Sequence, residues 1–164
     1  MKNVAELFFL LIPVLIFGQQ NEAKTFTNSV DLKSSPETVW NAITDFSNFN
    51  LWDDNVIAVR CSDGIEKNNS CQVILKSGKI FDVKIIEAEE NVSYTIRYQL
   101  SSGNVYIKRH LEVEGTPRLT ETVWYKGVSK RTFEKYKGPD YGALLEARML
   151  DFKKYLEEDL AEGR

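Results

Sequence analysis

The stretch of residues 56–126 is the feature that most limits how this chain can fold. Apolar and polar residues alternate along it, which is typical of β-strands that bury one face. Turn-forming residues interrupt the alternation at Asp63-Gly64, Ser77-Gly78, Glu90-Asn91, Ser102-Gly103-Asn104 and Gly115-Thr116-Pro117. Together with a first strand in residues 25–33, the pattern predicts a sheet of seven strands in consecutive antiparallel order.

Helical segments are predicted on both sides of this strand-rich stretch. Ser35 is a favourable N-cap and Pro36 suits the first helical position, so a short helix begins there, and a second helical piece covers residues 47–52. A long helix is predicted over residues 140–160. Its apolar face consists of Leu145, Met149, Phe152 and Leu156. The basic residues Lys130, Arg131, Lys135 and Lys137 before Gly138-Pro139 are interpreted as a solvated loop, with an anionic lipid contact as the alternative.

The N-terminus resembles an export signal. An apolar run of eleven residues covers positions 7–17 and follows Lys2. A bilayer span needs about 20 apolar residues, whereas the core of a signal peptide needs about 7–15. We therefore expect residues 1–18 to be a signal peptide, with an amphipathic or buried N-terminal helix as the alternative. The mature protein is then exported to the periplasm or secreted, has no stable membrane span, and contains one domain at 24–160.

The two cysteines flank a polar segment that is typical of a hairpin connection. Cys61 and Cys71 then lie near matching ends of two antiparallel strands, where opposed Cβ atoms are about 4.5–5.5 Å apart. A disulfide is one prediction, and an exported protein would permit it. Two half-buried free thiols are the alternative.

Two charged residues fall on strand faces that are otherwise apolar. Arg109 shares a face with Val105 and Ile107, and Glu121 occupies the equivalent position on the next strand. Pairing Val113 with Leu119 and Leu111 with Glu121 across the hairpin would make Arg109 and Glu121 diagonal neighbours. Their Cα atoms would then be about 7–8 Å apart. Such a pair can offset the cost of burying its charges or bind a polar group of a ligand. The alternative is that both side chains are hydrated at the rim of the sheet.

Composition excludes several functional classes. A formal net charge of −3 with interspersed signs gives no basic surface for nucleic acid, and a single histidine excludes a multi-histidine metal site. No arrangement of nucleophile and base stands out, so no catalytic residue, metal or cofactor is assigned.

One block of sequence is similar to a known superfamily. Residues 29–52 read SVDLKSSPETVWNAITDFSNFNLW. They resemble the opening of START-like (SRPBCC, Bet v 1-like) domains, especially the polyketide cyclase/dehydrase branch. The resemblance implies an α+β helix-grip fold. In this fold a curved seven-stranded antiparallel sheet surrounds a long C-terminal helix, two short helices follow strand 1, and a hydrophobic cavity lies between sheet and helix.

Physical reasoning agrees with this picture, because one helix does not fill the concave side of a strongly bent sheet. A cavity then opens unless large aromatic side chains close it, and the sequence leaves both outcomes open. The predicted cavity residues are Trp52, Phe81, Tyr94, Tyr98, Arg109, Glu121, Tyr125, Met149 and Phe152. The leading hypothesis is a monomer or weak dimer that binds a small hydrophobic molecule without catalysis. The alternatives are an enzyme similar to cyclases or aromatases that uses the same cavity, and a protein-interaction module.

Overall fold

Seven antiparallel strands form one curved open sheet in the computed structural model, which describes residues 25–62 and 64–159. The order across the sheet is β1-β7-β6-β5-β4-β3-β2, so each strand from β2 to β6 pairs with the next one in sequence and β7 pairs with β1. The strands are β1 (Thr25–Asp31), β2 (Val56–Cys61), β3 (Ser70–Leu75), β4 (Ile80–Glu89), β5 (Ser93–Leu100), β6 (Gly103–Glu112) and β7 (Arg118–Lys126). The predicted signal peptide, residues 1–18, lies outside the described residues.

The helices begin where the local sequence caps them. Helix α1 (Pro36–Thr44) starts with Ser35, whose hydroxyl accepts the Thr38 amide at 3.2 Å, and a 3-10 helix (Phe46–Leu51) follows. Helix α3 (Tyr141–Lys154) ends in a π-helical turn (Tyr155–Asp159). Among the described helices, none is both long and apolar enough to cross a membrane.

The basic stretch before Gly138 is a helix, so its interpretation as a loop was wrong. Helix α2 (Lys130–Lys137) begins at Ser129, whose hydroxyl accepts the Thr132 amide at 3.1 Å. Gly138 ends it with a φ of 98°, a conformation that favours glycine. The helix has one fully buried anchor, Phe133, and such sparse apolar periodicity explains why the sequence did not reveal it.

The register between β6 and β7 differs from the predicted one by two residues. Leu111 lies opposite Leu119, and Arg109 lies directly opposite Glu121 instead of diagonally. The predicted pairing failed because it extended β6 to Val113. That residue lies beyond the strand and is 51% exposed.

Helix α3 lays its predicted apolar face on the concave side of the sheet. Leu145, Met149, Phe152 and Leu156 are all buried. Phe152 meets the Trp52 ring edge to face, with 5.0 Å between ring centroids. Burying one such side chain stabilises the fold by about 1.5–3 kcal/mol compared with leaving it exposed to water. The C-terminal half of α3 therefore closes its end of the space between helix and sheet.

A disulfide joins the β2–β3 hairpin. Cys61 and Cys71 lie directly opposite each other in the register, with Cα atoms 4.1 Å apart. The bond ties an edge strand of the sheet to its only neighbour among the described strands.

Candidate functional site

A cavity of about 370 Å³ lies between strands β3–β6 and the facing parts of α2 and α3. Its position follows from the packing of α3, because large side chains fill the space under the C-terminal half of the helix and leave space under the N-terminal half. Tyr141, Leu144 and Arg148 line the cavity from α3, and Tyr136 and Lys137 line it from α2.

The sheet side of the cavity is mainly apolar and aromatic. Phe81 and Tyr98 come from β4 and β5, and their rings meet edge to face with centroids 5.9 Å apart. Tyr136 continues this wall from α2, and the centroid of its ring is 6.0 Å from that of the Phe81 ring. Leu100 and Val105 complete it at the β5–β6 hairpin. Small-molecule sites typically combine such walls with a few polar groups.

Two ammonium groups lie against the aromatic wall, and that of the exposed Lys79 is 5.2 Å from the centroid of the Tyr136 ring. The ammonium of Lys137 is 4.4 Å from the centroid of the Tyr98 ring, which is within cation–π range. Burial, together with the positive charge of Arg148, lowers the pKa of Lys137 to about 8. Burial also raises the pKa of Tyr98, so this phenol is neutral at physiological pH.

Arg148 connects the cavity to a charged network in the core. Its guanidinium bonds Glu121, lies 3.5 Å from a carboxylate oxygen of Asp53, and donates to the Tyr141 hydroxyl at 3.1 Å. The Nε atom of Arg148 is buried and has no hydrogen-bond partner within residues 25–62 and 64–159.

Arg109 forms the inner end of the same network. Its Nε donates to Glu121 at 2.8 Å and its Nη1 donates to the Tyr94 hydroxyl at 2.6 Å. The Tyr94 hydroxyl in turn donates to the carbonyl of Ile43 at 2.7 Å. The Arg109 guanidinium also stacks near the Phe49 ring, 4.8 Å from its centroid. Arg109 and Glu121 are only 3% and 0% exposed.

The guanidinium groups of Arg148 and Arg109 determine the ionisation of the Glu121 carboxylate. Burial alone would raise the pKa of Glu121, but the charges of Arg148 and Arg109 outweigh it, so the pKa is lowered. Glu121 is therefore an anion at neutral pH, and its two oxygens are each occupied by an arginine. The alternative of an enzyme gains no support from Arg109 and Glu121, because these two side chains bond each other.

The predicted cavity residues separate into three groups. Phe81 and Tyr98 line the cavity. Arg109 borders a smaller space of about 30 Å³ further inside, and Tyr125 borders a separate surface pocket of about 180 Å³ beside α2. The remaining predicted residues are buried in the core away from the cavity wall: Trp52, Tyr94, Glu121, Met149 and Phe152.

Sequence reasoning missed the polar residues that the helices bring to the cavity. Arg148 lies three residues after Leu145 and four before Phe152, so helical spacing places it beside the apolar face. Tyr141 lies one heptad before Arg148. This spacing was the available signal. No comparable signal marked Lys137, because the prediction placed it in a loop.

Metal binding has no support from the described side chains. Within residues 25–62 and 64–159, no three histidine, cysteine, aspartate or glutamate residues gather in a way that could hold an ion.

Solved structures with the same architecture come from diverse organisms. A START superfamily protein from Mycobacterium smegmatis matches with a TM-score of 0.62 and 16% identity, over 82% of this chain and 97% of that chain. The chain has the START-like helix-grip fold. Protein MLL2253 from Mesorhizobium loti shares the START-like fold with a TM-score of 0.62 and 15% identity, over 86% of this chain and 99% of that chain.

Truncated norcoclaurine synthase from Thalictrum flavum also has this START-like fold. Its TM-score is 0.60 at 11% identity, over 83% of this chain and 94% of that chain. No protein-family model and no curated protein matches the sequence itself. The predicted helix-grip fold is confirmed. At identities this low the likeness establishes the fold alone, because START-like folds carry many functions.

Proposed function

We propose that this protein binds a small apolar molecule in the cavity between strands β3–β6 and helices α2 and α3. The observation that carries the proposal is the cavity itself. Its volume of about 370 Å³ falls within the usual 300–1,000 Å³ range of small-molecule sites, near the lower limit. Its aromatic and aliphatic walls favour an apolar guest, because transfer out of water gains roughly 25 cal/mol per Å² of apolar surface.

The buried charges next to the cavity support a binding role, because they hold Arg148 and Tyr141 of its wall in place. Arg109, Glu121 and Arg148 bond one another or Tyr94 and Tyr141, so the network stiffens the wall. A rigid and preformed site lowers the entropic cost of binding.

A neutral fluorescent probe tests the binding function. N-phenyl-1-naphthylamine should bind the wild-type protein and gain fluorescence on leaving water. The substitution Leu100→Trp places a larger side chain in the cavity wall and should weaken binding at least about tenfold. Leu150→Trp is the matched control, because Leu150 is 54% exposed on α3. The proposal fails if the probe does not bind or if both variants bind it as the wild type does.

We also propose that the protein is exported and works in an oxidising compartment. Two observations support this: the apolar run at residues 7–17 and the disulfide between Cys61 and Cys71. Disulfides of this kind persist in the periplasm and outside the cell and are rare in the cytosol. Expression of the full chain with cell fractionation and intact-mass measurement tests the proposal. A mature exported form with no thiol that reacts with iodoacetamide is expected. Retention of the uncleaved chain in the cytosol would refute it.

A further inference from the structure

The charges that line the cavity are not balanced. Among the described lining residues the cationic side chains are Lys76, Lys79, Lys137 and Arg148, whereas Asp53 is the acidic one. Asp53 is already engaged. One of its oxygens lies 3.5 Å from Arg148, and the other accepts the Asn55 amide at 3.0 Å. The cavity therefore carries more positive charge than its own carboxylate can neutralise.

The excess positive charge is concentrated at Lys137. Lys76 lies 3.5 Å from the exposed Asp54, and Lys79 is exposed at the rim. Arg148 is neutralised by Glu121 and Asp53. In the part of the chain that the structure describes, no carboxylate is within ion-pair distance of the Lys137 ammonium.

The surroundings of Lys137 make an unpaired charge costly. Its ammonium lies over the Tyr98 ring, and burial lowers its pKa to about 8. The neighbouring cations Arg148 and Arg109 contribute to this lowering of the pKa, whereas Asp53 and Glu121 act in the opposite direction. The side chain is still protonated at pH 7. An anion placed beside it would relieve the cost of a partly buried, unpaired charge.

We propose that the cavity takes an apolar molecule that carries a single carboxylate, and that this carboxylate pairs with the Lys137 ammonium. The inference rests on the proposed binding function and adds the class of ligand. The apolar body of the ligand lies against Phe81, Tyr98 and Leu100. One unpaired ammonium neutralises one negative charge, which favours a monoanion over a phosphate dianion.

A matched pair of competitors tests the ligand class. Dodecanoate and dodecan-1-ol share one alkyl chain and differ in charge. Each is titrated below its aggregation limit against N-phenyl-1-naphthylamine bound to the wild type, Lys137→Met and Lys135→Met. Methionine keeps the length of the lysine side chain without its charge. Lys135 is exposed on the same helix and provides the control.

Probe displacement should show that dodecanoate binds the wild type and Lys135→Met at least about tenfold more tightly than it binds Lys137→Met. A charge-assisted contact typically contributes this much affinity or more. Dodecan-1-ol should bind Lys137→Met at least as tightly as it binds the wild type and Lys135→Met, because the alcohol has no charge that pairs with the ammonium. Circular dichroism of each protein verifies that the variants are folded.

The pH dependence supplies an independent readout. Below pH 8 the Lys137 ammonium is present, and above this value it is progressively lost, whereas dodecanoate stays ionised. The wild-type affinity for dodecanoate should therefore fall between pH 7 and pH 9.5. Lys137→Arg keeps its charge, so its affinity should be level over this range. The pKa of Tyr98 and that of Tyr141 are both raised, so neither phenol adds a charge here.

Four results would overturn the inference. If both competitors bind the wild type equally, or if Lys137→Met leaves dodecanoate binding unchanged, the cavity binds apolar ligands without charge selection and the binding function stands. If the probe binds but neither competitor displaces it, the ligand class is wrong and the binding function again stands. If the probe itself fails to bind, the proposed function and the inference fall together.

Discussion

Two arginines share one fully buried glutamate in this protein. Glu121 bonds Arg109 through one oxygen and Arg148 through the other, and Asp53 lies 3.5 Å from Arg148. Two cations and two anions thus form a neutral set. Neutrality matters because an isolated ion costs several kcal/mol to bury, whereas a bonded and balanced set offsets that cost.

Removing the shared carboxylate should be severely destabilising. In Glu121→Gln two buried guanidinium groups lose their common anion, so the free energy of unfolding should fall by about 3–5 kcal/mol. Urea unfolding at pH 7 measures the change. Asp31→Asn breaks the exposed Asp31–Arg118 pair and serves as the control, with a much smaller expected effect. Equal effects of the two substitutions would contradict the structural role assigned to Glu121.

The Glu121 carboxylate should also make the free energy of unfolding depend on pH in the acid range. The folded-state pKa of Glu121 is lowered below its ordinary value. Its contribution is therefore complete above the unfolded-state pKa, near 4.3, and is lost as the pH falls through the lower folded-state pKa. Unfolding free energies measured from pH 6 downwards should decline in the wild type and decline less steeply in Glu121→Gln. Parallel curves would contradict this assignment.

Lys137 should affect stability in the opposite direction to Glu121, because its charged form makes the folded protein less stable. Its pKa is lowered on folding to about 8, so the unfolded chain binds the proton more tightly and stability rises from about pH 8 to pH 10.5. Lys137→Met should stabilise the ligand-free protein at pH 7, by about 1 kcal/mol, because it removes an unpaired and partly buried charge. Thermal unfolding measures the shift against the exposed control Lys135→Met. A stability loss would show that the ammonium has a favourable partner.

At the scale of elements, the β2–β3 hairpin depends on a covalent link. Strand β2 lies at one edge of the sheet and pairs with β3 alone among the described strands. The Cys61–Cys71 bond closes a short loop at the end of this pair. Since β2 leads out of the segment that carries Trp52 and Asp53, its attachment also positions residues next to the charged network.

Loss of the disulfide should weaken the fold without removing the cavity. The double variant Cys61→Ala, Cys71→Ala should lower the unfolding free energy by about 2–3 kcal/mol, as expected for a loop of this length. Denaturant unfolding of the variant, compared with the oxidised wild type, measures this. A reduced wild type should behave like the variant. No difference between oxidised and reduced protein would mean that the link does not constrain the chain.

The elements that sequence predicts well are those with strong periodicity. Alternation and turn residues gave seven strands in the observed order, and the spacing of Leu145, Met149 and Phe152 gave the buried face of α3. Helix α2 was not predicted, because Phe133 is its one fully buried residue and leaves no helical periodicity to detect. The predicted β6–β7 register was wrong by two residues, because a shift of two keeps every side chain on its own face and hairpin geometry sets the register.

At the scale of the whole molecule, the cavity exists but does not lie where the sequence placed it. The expectation put open space beneath Met149 and Phe152. Instead, these side chains are packed, with Trp52 beside Phe152, and the space lies toward Tyr141 and Leu144. Periodicity identifies which residues face inward, but the volumes and rotamers of all the inward-facing side chains determine which end is filled.

The central claim is that an apolar ligand occupies the space beneath the N-terminal half of α3. Titration of isotope-labelled protein with N-phenyl-1-naphthylamine, followed by heteronuclear NMR, tests this most directly. Saturable shifts are expected at Phe81, Tyr98 and Leu144, with little change at Met149 and Phe152. Shifts centred on Met149 and Phe152, or dispersed without saturation over the protein surface, would contradict it.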